Sequence, residues 1–221
     1  MIEAVIFDMD GLMFDTERLC SLAWDWAGEQ MGIGPAGYMN LRTLGVTAPE
    51  ARRILLEEFG QDFDVDRMQS LAREFTADYL GKNPLPVKPG LYELLDYLKG
   101  QGLPLAVASS TREETVRRHL RAAGIEGRFA AVVCGDMVTH SKPHPEIYEL
   151  ACARLGKTPP SCAALEDSRN GLRSAHAAGC RAVMVPDLWQ PDPETEAFLA
   201  AKGETLDQLI PWFAAHIKKE G

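Results

Sequence analysis

Short apolar runs separated by helix-like segments are the feature that most constrains the fold of this chain. Each run is rich in valine, isoleucine, leucine or alanine. Short buried runs that alternate with helices are typical of a parallel sheet covered by helices on both faces. We therefore predict an α/β fold with a doubly wound parallel sheet, whose strands lie at residues 2–7, 103–108, 130–134, 162–165 and 182–185.

The segments between these runs carry helix signals. Four leucines recur at helical spacing over residues 91–98, and glycines follow them. Thr111 and Glu114 form a T-x-x-E pattern, which predicts a capping box at the start of the next helix. The order of elements from residue 85 onward is therefore helix and strand in alternation.

One stretch interrupts this alternation. Residues 16–83 contain several helical patterns and no strand pattern, and the stretch ends in the stiff, turn-prone sequence N-P-L-P at 83–86. We predict two domains: an α/β core domain made of residues 1–15 and 84–221, and an inserted all-helical domain made of residues 16–83.

Charge and composition narrow the range of partners. The chain has 23 lysines and arginines against 32 aspartates and glutamates, a net charge of −9. This balance disfavours the basic surface on which nucleic-acid affinity depends. No apolar run approaches the roughly 20 residues that span a bilayer. We expect neither a nucleic-acid nor a membrane partner, and a monomer, because no coiled-coil seam is evident.

The N-terminus and the cysteines favour a cytoplasmic protein. Acidic residues interrupt the first apolar run, which disfavours an export signal. The five cysteines are odd in number and contain no C-x-x-C pair, so we expect reduced, structural thiols. His140 and His144 have a spacing that binds zinc on a helix, but Pro143 and Pro145 disfavour a helix there, so we predict no zinc site.

Polar residues follow four of the predicted strands. They are Asp8 and Asp10, Ser109 and Ser110, Lys142, and Glu166 and Asp167. Because the carboxyl ends of parallel strands meet at one edge of the sheet, we expect these side chains to lie close together.

Crowded carboxylates repel each other unless a hard cation lies among them, and Mg²⁺ is the natural candidate. Asp8 and Asp167 would be ligands, together with the main-chain carbonyl of Asp10. Lys142 adds a positive charge for an anionic oxygen, and Ser109 adds a hydroxyl donor. This combination suits phosphoryl transfer.

Four segments together resemble the haloacid dehalogenase superfamily: D-M-D-G-L-M-F-D-T-E at 8–17, V-A-S-S at 107–110, S-K-P-H-P-E-I-Y at 141–148 and E-D-S-R-N-G at 166–171. The resemblance covers nearly the whole chain, and within the superfamily it is to the β-phosphoglucomutase-like phosphatases. It implies a Rossmann-like core with an inserted helical cap domain. It also implies a Mg²⁺-dependent phosphatase that hydrolyses a small phosphorylated metabolite, such as a sugar phosphate.

The resemblance also implies a role for each motif residue. Asp8 would attack phosphorus and form an aspartyl-phosphate, while Asp10 would protonate the leaving oxygen and then deprotonate water. Ser109, Ser110 and Lys142 would bind the phosphoryl oxygens. The metal-binding residues would be Asp8, Asp10, Glu166 and Asp167.

The cap would close over the site and supply specificity, with Arg42 and Thr47 as candidate substrate contacts. The β-phosphoglucomutases that this chain resembles carry a lysine and an arginine at the positions of Leu44 and Ala48. Without those cations a bisphosphate intermediate is poorly held, so hydrolysis is favoured over a hexose-phosphate mutase. The alternative from another class is a non-catalytic phospho-acceptor or metal-switch protein, which would not need the inserted helical domain.

Overall fold

The computed structural model describes residues 1–43 and 48–217. The chain forms two compact units. The core unit consists of Met1–Phe14 and Val87–Gly221, and the helical unit consists of Asp15–Pro86.

The core unit is built on a parallel sheet of six strands in the order β3-β2-β1-β4-β5-β6. The strands are β1 (Ala4–Phe7), β2 (Leu105–Ser109), β3 (Ala131–Cys134), β4 (Cys162–Glu166), β5 (Arg181–Met184) and β6 (Ala201–Lys202). The predicted α/β fold with a doubly wound parallel sheet is confirmed. The two-residue edge strand β6 was not predicted, because it is too short to show an apolar run.

Helices cover both faces of this sheet. Those of the core unit are α5 (Leu91–Gly100), α6 (Glu113–Ala122), α7 (Glu146–Arg154), α8 (Arg169–Ala177), α9 (Pro193–Glu196) and α10 (Ile210–His216). The recurring leucines of α5 are all buried, and Tyr148 of α7 and Leu172 of α8 pack in one cluster with Ile6 of β1. The predicted capping box was wrong, because α6 follows Arg112 and has no side-chain cap.

The helical unit contains four helices: α1 (Thr16–Met31), α2 (Tyr38–Thr43), α3 (Ala48–Phe59) and α4 (Val65–Lys82). Its own apolar core joins Ala27 of α1, Met39 of α2, Leu55 of α3 and Met68 of α4, all fully buried. In the part of the chain that the structure describes, no helix combines the length and the apolar character needed to cross a membrane.

The strand order determines where polar side chains meet. β1 lies between β2 and β4, and Phe7 pairs with Val107 on one side and Leu165 on the other. The connections run to opposite sides of β1, so a crevice opens at the carboxyl ends of β1 and β4, where ligands bind in folds of this kind. Asp8 and Glu166 lie at that point.

Candidate active site

Lys142 occupies the centre of a buried cluster at the carboxyl edge of the sheet. Its Nζ lies 2.6 Å from Oδ1 of Asp8 and 2.6 Å from Oε1 of Glu166, and it donates to the main-chain oxygen of Ala108 at 2.9 Å. Asp8, Lys142 and Glu166 are all buried. One ammonium group therefore joins β1, β2 and β4 through three hydrogen bonds.

Burial and neighbouring charge set the protonation of this cluster. Burial raises the pKa of Asp8 well above its ordinary value; Lys142 opposes that shift, and the carboxylates of Glu166 and Asp10 add to it. Burial lowers the pKa of Lys142, but the carboxylates of Asp8 and Glu166 outweigh burial, so that pKa is raised. Lys142 therefore stays charged, and its charge favours the ionised form of Asp8 against the effect of burial.

Glu166 is held on both of its oxygens. Oε1 accepts hydrogen bonds from Lys142 and, at 2.6 Å, from the Tyr148 hydroxyl, while Oε2 accepts from the amides of Asp167 and Ser168 and from the Ser168 hydroxyl. Burial and the Glu166 carboxylate raise the pKa of Tyr148 well above its ordinary value, so its phenol remains a donor. These contacts orient Glu166 toward Lys142.

Gly171 makes room for this arrangement. A Cβ atom at this position of α8 would lie 2.0 Å from the carboxyl carbon of Glu166. That distance is far inside van der Waals contact, so any side chain there would displace the carboxylate. Close packing of helix α8 against the carboxylate therefore requires glycine.

The carboxylates fit a divalent cation. One ligand oxygen each from Asp8, Glu166 and Asp167 lie within 4.8 Å of one another, and all three residues are buried. When all three are ionised, their negative charges exceed the single positive charge of Lys142 by about two. A divalent cation would balance this excess negative charge. Oxygen ligands of this kind are those that Mg²⁺ prefers.

Asp10 lies beside two hydroxyl groups at the carboxyl end of β2. The Thr111 hydroxyl donates to Oδ2 of Asp10 at 2.8 Å, and the Ser109 hydroxyl lies 3.3 Å from the same oxygen. Ser109 in turn accepts from the Thr111 amide at 3.0 Å. One oxygen of the Asp10 carboxyl is thus oriented by the end of β2.

The structure brings six of the sequence-predicted residues together in these two groups: Asp8, Lys142, Glu166 and Asp167 at the cluster, and Ser109 beside Asp10. Ser110 is exposed and lies one residue beyond the end of β2. Arg42 of α2 forms an ion pair with Glu58 of α3 inside the helical unit. Thr47 lies outside the described residues.

Two further residues of the site were missed from sequence. Thr111 was interpreted as a helix cap, but its hydroxyl binds Asp10. Tyr148 was quoted only as part of a motif, because a tyrosine among apolar helix positions is typical of a core. The feature of the sequence that could have indicated Thr111 is its place two residues after β2, which ends in Ser109.

Comparisons with known proteins agree with this geometry. Residues 2–179 match the family model of haloacid dehalogenase-like hydrolases. The chain is 34% identical to the phosphorylated carbohydrates phosphatase of Thermotoga maritima over 178 residues, which cover 80% of this chain and 82% of that relative. It is 33% identical to the β-phosphoglucomutase of Bacillus subtilis over 190 residues, which cover 83% of each.

Solved structures show the same fold. The structure of CbbY from Rhodobacter sphaeroides in complex with xylulose-(1,5)bisphosphate superposes with a TM-score of 0.77 at 29% identity, covering 95% of this chain and 96% of that one. Since the family model covers most of the chain and the sheet carries the acidic cluster and lysine at its carboxyl edge, this protein belongs to the haloacid dehalogenase-like hydrolases.

Proposed function

We propose that the protein is a Mg²⁺-dependent phosphatase that hydrolyses a small phosphorylated metabolite, such as a sugar phosphate, through an aspartyl-phosphate on Asp8. The observation that carries the proposal is the pair of 2.6 Å contacts from Lys142 to Asp8 and Glu166. In the proposed mechanism, these contacts put the Asp8 carboxyl beside a fixed positive charge that favours its ionised, nucleophilic form, and Asp10 lies two residues along the chain.

In the first half of the reaction, a carboxylate oxygen of Asp8 forms a bond to phosphorus as the bond from phosphorus to the leaving oxygen breaks. Asp10 gives its proton to that leaving oxygen, which departs as an alcohol. The Thr111 hydroxyl orients Asp10 during this transfer. Lys142 stabilises negative charge on the phosphoryl oxygens.

In the second half, the Asp10 carboxylate takes a proton from water, and the water oxygen bonds to phosphorus. The bond between phosphorus and the Asp8 oxygen breaks, which releases inorganic phosphate and restores the Asp8 carboxylate. The covalent intermediate thus divides one difficult displacement into two easier steps.

Asp8 and Asp167 are the residues we assign to hold Mg²⁺, with the main-chain oxygen of Asp10 as a further ligand. Bound there, Mg²⁺ would neutralise charge on the transferring phosphoryl group. Glu166 lies within ligand distance of this site, but its oxygens already accept five hydrogen bonds. We therefore expect Glu166 to act chiefly by holding Lys142.

The names of relatives support a phosphorylated carbohydrate as the substrate class. The Thermotoga maritima relative is a phosphorylated carbohydrates phosphatase, and the CbbY structure holds a sugar bisphosphate. The acidic composition, with a net charge of −9, disfavours a nucleic-acid substrate.

A β-phosphoglucomutase activity is the second candidate, because a relative of that name is 33% identical. This chain has Leu44 and Ala48 at the two positions where the mutases that it resembles carry cationic side chains. Because a bisphosphate intermediate would be poorly held without those cations, release of phosphate is favoured over its return to a sugar. Adding a sugar bisphosphate to β-glucose 1-phosphate separates the two functions: a mutase yields isomerised sugar, and a phosphatase yields inorganic phosphate.

The test of the proposed function is phosphate release from a panel of sugar phosphates, phosphorylated acids, nucleotides and polyol phosphates, with Mg²⁺ and with EDTA. We expect Mg²⁺-dependent release that is lost in Asp8→Asn. Release that persists in Asp8→Asn, or that is unchanged by EDTA, would refute the proposal.

A further inference from the structure

A second group of potential metal ligands lies outside the active site, on the segment that joins β3 to α7. His140 and His144 are four residues apart, and Pro143 and Pro145 prevent a helix between them. A turn brings them together instead: the His144 amide donates to the Ser141 carbonyl at 3.0 Å. The two imidazole rings then stack with their centroids 4.4 Å apart.

Glu146, at the start of α7, completes the group. Its Oε2 lies 2.9 Å from Nδ1 of His140 and 4.0 Å from Nδ1 of His144. One ligand atom from each of the three side chains lies within 4.8 Å of the others. In a tetrahedral site with bonds of about 2.0–2.1 Å, ligand atoms are roughly 3.3 Å apart. The two distances from Glu146 Oε2, 2.9 Å and 4.0 Å, lie below and above this value. Small side-chain rotations would therefore bring the ligand atoms to the spacing of a tetrahedral site.

The surroundings favour an ion that arrives from solvent. The side chains of His140, His144 and Glu146 are 62%, 47% and 29% exposed, so an ion could keep water in its remaining positions. Hydrogen bonds from the amides of Thr139 and His140 orient Glu146 and lower its pKa to about 2. A carboxylate that is already ionised and oriented loses little freedom when it binds a cation.

The chemistry of the group separates it from the Mg²⁺ site. Two imidazoles and one carboxylate are suited to zinc, nickel and copper ions, whereas an all-oxygen set suits magnesium. A hydrogen bond joins His140 Nδ1 to Glu146. An ion bound at Nδ1 would replace this hydrogen bond, and the single proton of a neutral ring would then lie on Nε2.

Although the sequence alone predicts no zinc site here, the turn brings the ligands together, and we propose that His140, His144 and Glu146 form a second metal site, which binds a divalent transition-metal ion of the Zn²⁺ and Ni²⁺ class. The site is independent of the proposed phosphatase activity. Lys142 lies between the two histidines in the sequence, so a bound ion would link the residues on either side of Lys142.

The test is isothermal titration of the untagged, full-length protein with Zn²⁺ in excess Mg²⁺, which occupies the oxygen-rich site. The variants are His140→Ala, His144→Ala and the double variant, and the matched control is His176→Ala, an exposed histidine that stacks on Phe198. Hydrogen exchange of residues 138–146, measured with and without Zn²⁺, locates the binding.

We expect one binding event in the wild type and in His176→Ala, weakened by at least about tenfold in each single variant and lost in the double variant, because even the loss of a residue that only orients a metal ligand weakens binding about 10–100-fold. Hydrogen exchange of the segment should slow when Zn²⁺ is added. Equal Zn²⁺ affinity in the double variant would overturn the proposal, as would a wild type that binds no Zn²⁺ under these conditions. Thermal melting of each variant establishes that it is folded.

Discussion

Lys142 Nζ lies 2.6 Å from a carboxylate oxygen of Asp8 and 2.6 Å from one of Glu166. The lysine comes from the loop after β3, and the two carboxylates come from β1 and β4. This ammonium group therefore ties together the strands whose order creates the crevice, and its charge favours the ionised form of Asp8 against the effect of burial. The fold and the chemistry depend on the same ammonium group.

Removing this ammonium group should destabilise the fold. In Lys142→Met, Asp8 and Glu166 remain buried without their cation, and breaking a buried pair in this way costs about 3–5 kcal/mol. Urea unfolding in EDTA measures the loss. The matched control is Lys157→Met, whose ion pair with Glu3 is about one-third exposed on each side and should contribute less than about 1 kcal/mol. Equal losses in the two variants would contradict this account of Lys142.

Removing the Tyr148 hydroxyl should slow turnover. The hydroxyl donates to Glu166 at 2.6 Å, and the Lys142 ammonium lies 5.0 Å from the centre of its ring. A hydrogen bond to a charged group contributes about 1.5–3 kcal/mol, so we expect Tyr148→Phe to lower kcat about tenfold and to leave KM nearly unchanged. Tyr92→Phe, which loses only an exposed bond to the Ala123 carbonyl, serves as the control. A changed KM with normal kcat would show that Tyr148 acts on binding instead.

Adding one methyl group at Gly171 should disable the site. The new carbon would overlap the Glu166 carboxyl group, so the carboxylate must move away from Lys142. We expect Gly171→Ala to reduce kcat by about a hundredfold or more, of the order of removing one donor that stabilises the transition state, and to lower the melting temperature. Gly127→Ala is the control, because a Cβ atom there meets open space. Normal activity in Gly171→Ala would show that Glu166 need not occupy its observed position.

Protonation of His119 should weaken the fold below neutral pH. The imidazole is buried against Phe14, and neither ring nitrogen has a hydrogen-bond partner among the residues described. Burial lowers the pKa of His119; the Asp10 carboxylate opposes this shift and Arg118 adds to it. The stability contributed by the neutral ring is therefore complete above the ordinary pKa of 6.5 and is lost as the pH falls toward the lowered value.

The measurement for His119 is the melting temperature at pH 7.5 and at pH 5.5, in the wild type and in His119→Leu. We expect the wild type to lose more stability on acidification than the variant does. The same pH dependence in both proteins would show that His119 does not titrate in this range.

The strands and the residues that follow them could be predicted from the sequence because each carries its own local signal. The buried run that ends in Asp8 marks a central parallel strand, and Glu166 and Asp167 follow another. The parallel sheet then requires that their side chains meet at one edge. Local sequence patterns were therefore sufficient to predict the site residues that the parallel strands themselves bring together.

Contacts made by side chains across the fold had no local signal. The Tyr148 hydroxyl meets a carboxylate 18 residues later in the chain, and the Thr111 hydroxyl meets one about a hundred residues earlier. The two histidines of the second metal site are brought together by a turn that prolines permit, and a helical spacing rule does not describe that turn. Partner choice in these cases depends on tertiary packing, which the spacing of residues does not encode.

The proposed mechanism requires Asp8 to form a covalent bond to phosphorus, and that bond can be detected. The enzyme is mixed with its best substrate in Mg²⁺, quenched in acid during turnover, digested and analysed by mass spectrometry. We predict a phosphoryl adduct on the peptide that contains residues 8–10, localised to Asp8, and none in Asp8→Asn. Turnover with no adduct on Asp8, together with an active Asp8→Asn variant, would refute the aspartyl-phosphate mechanism.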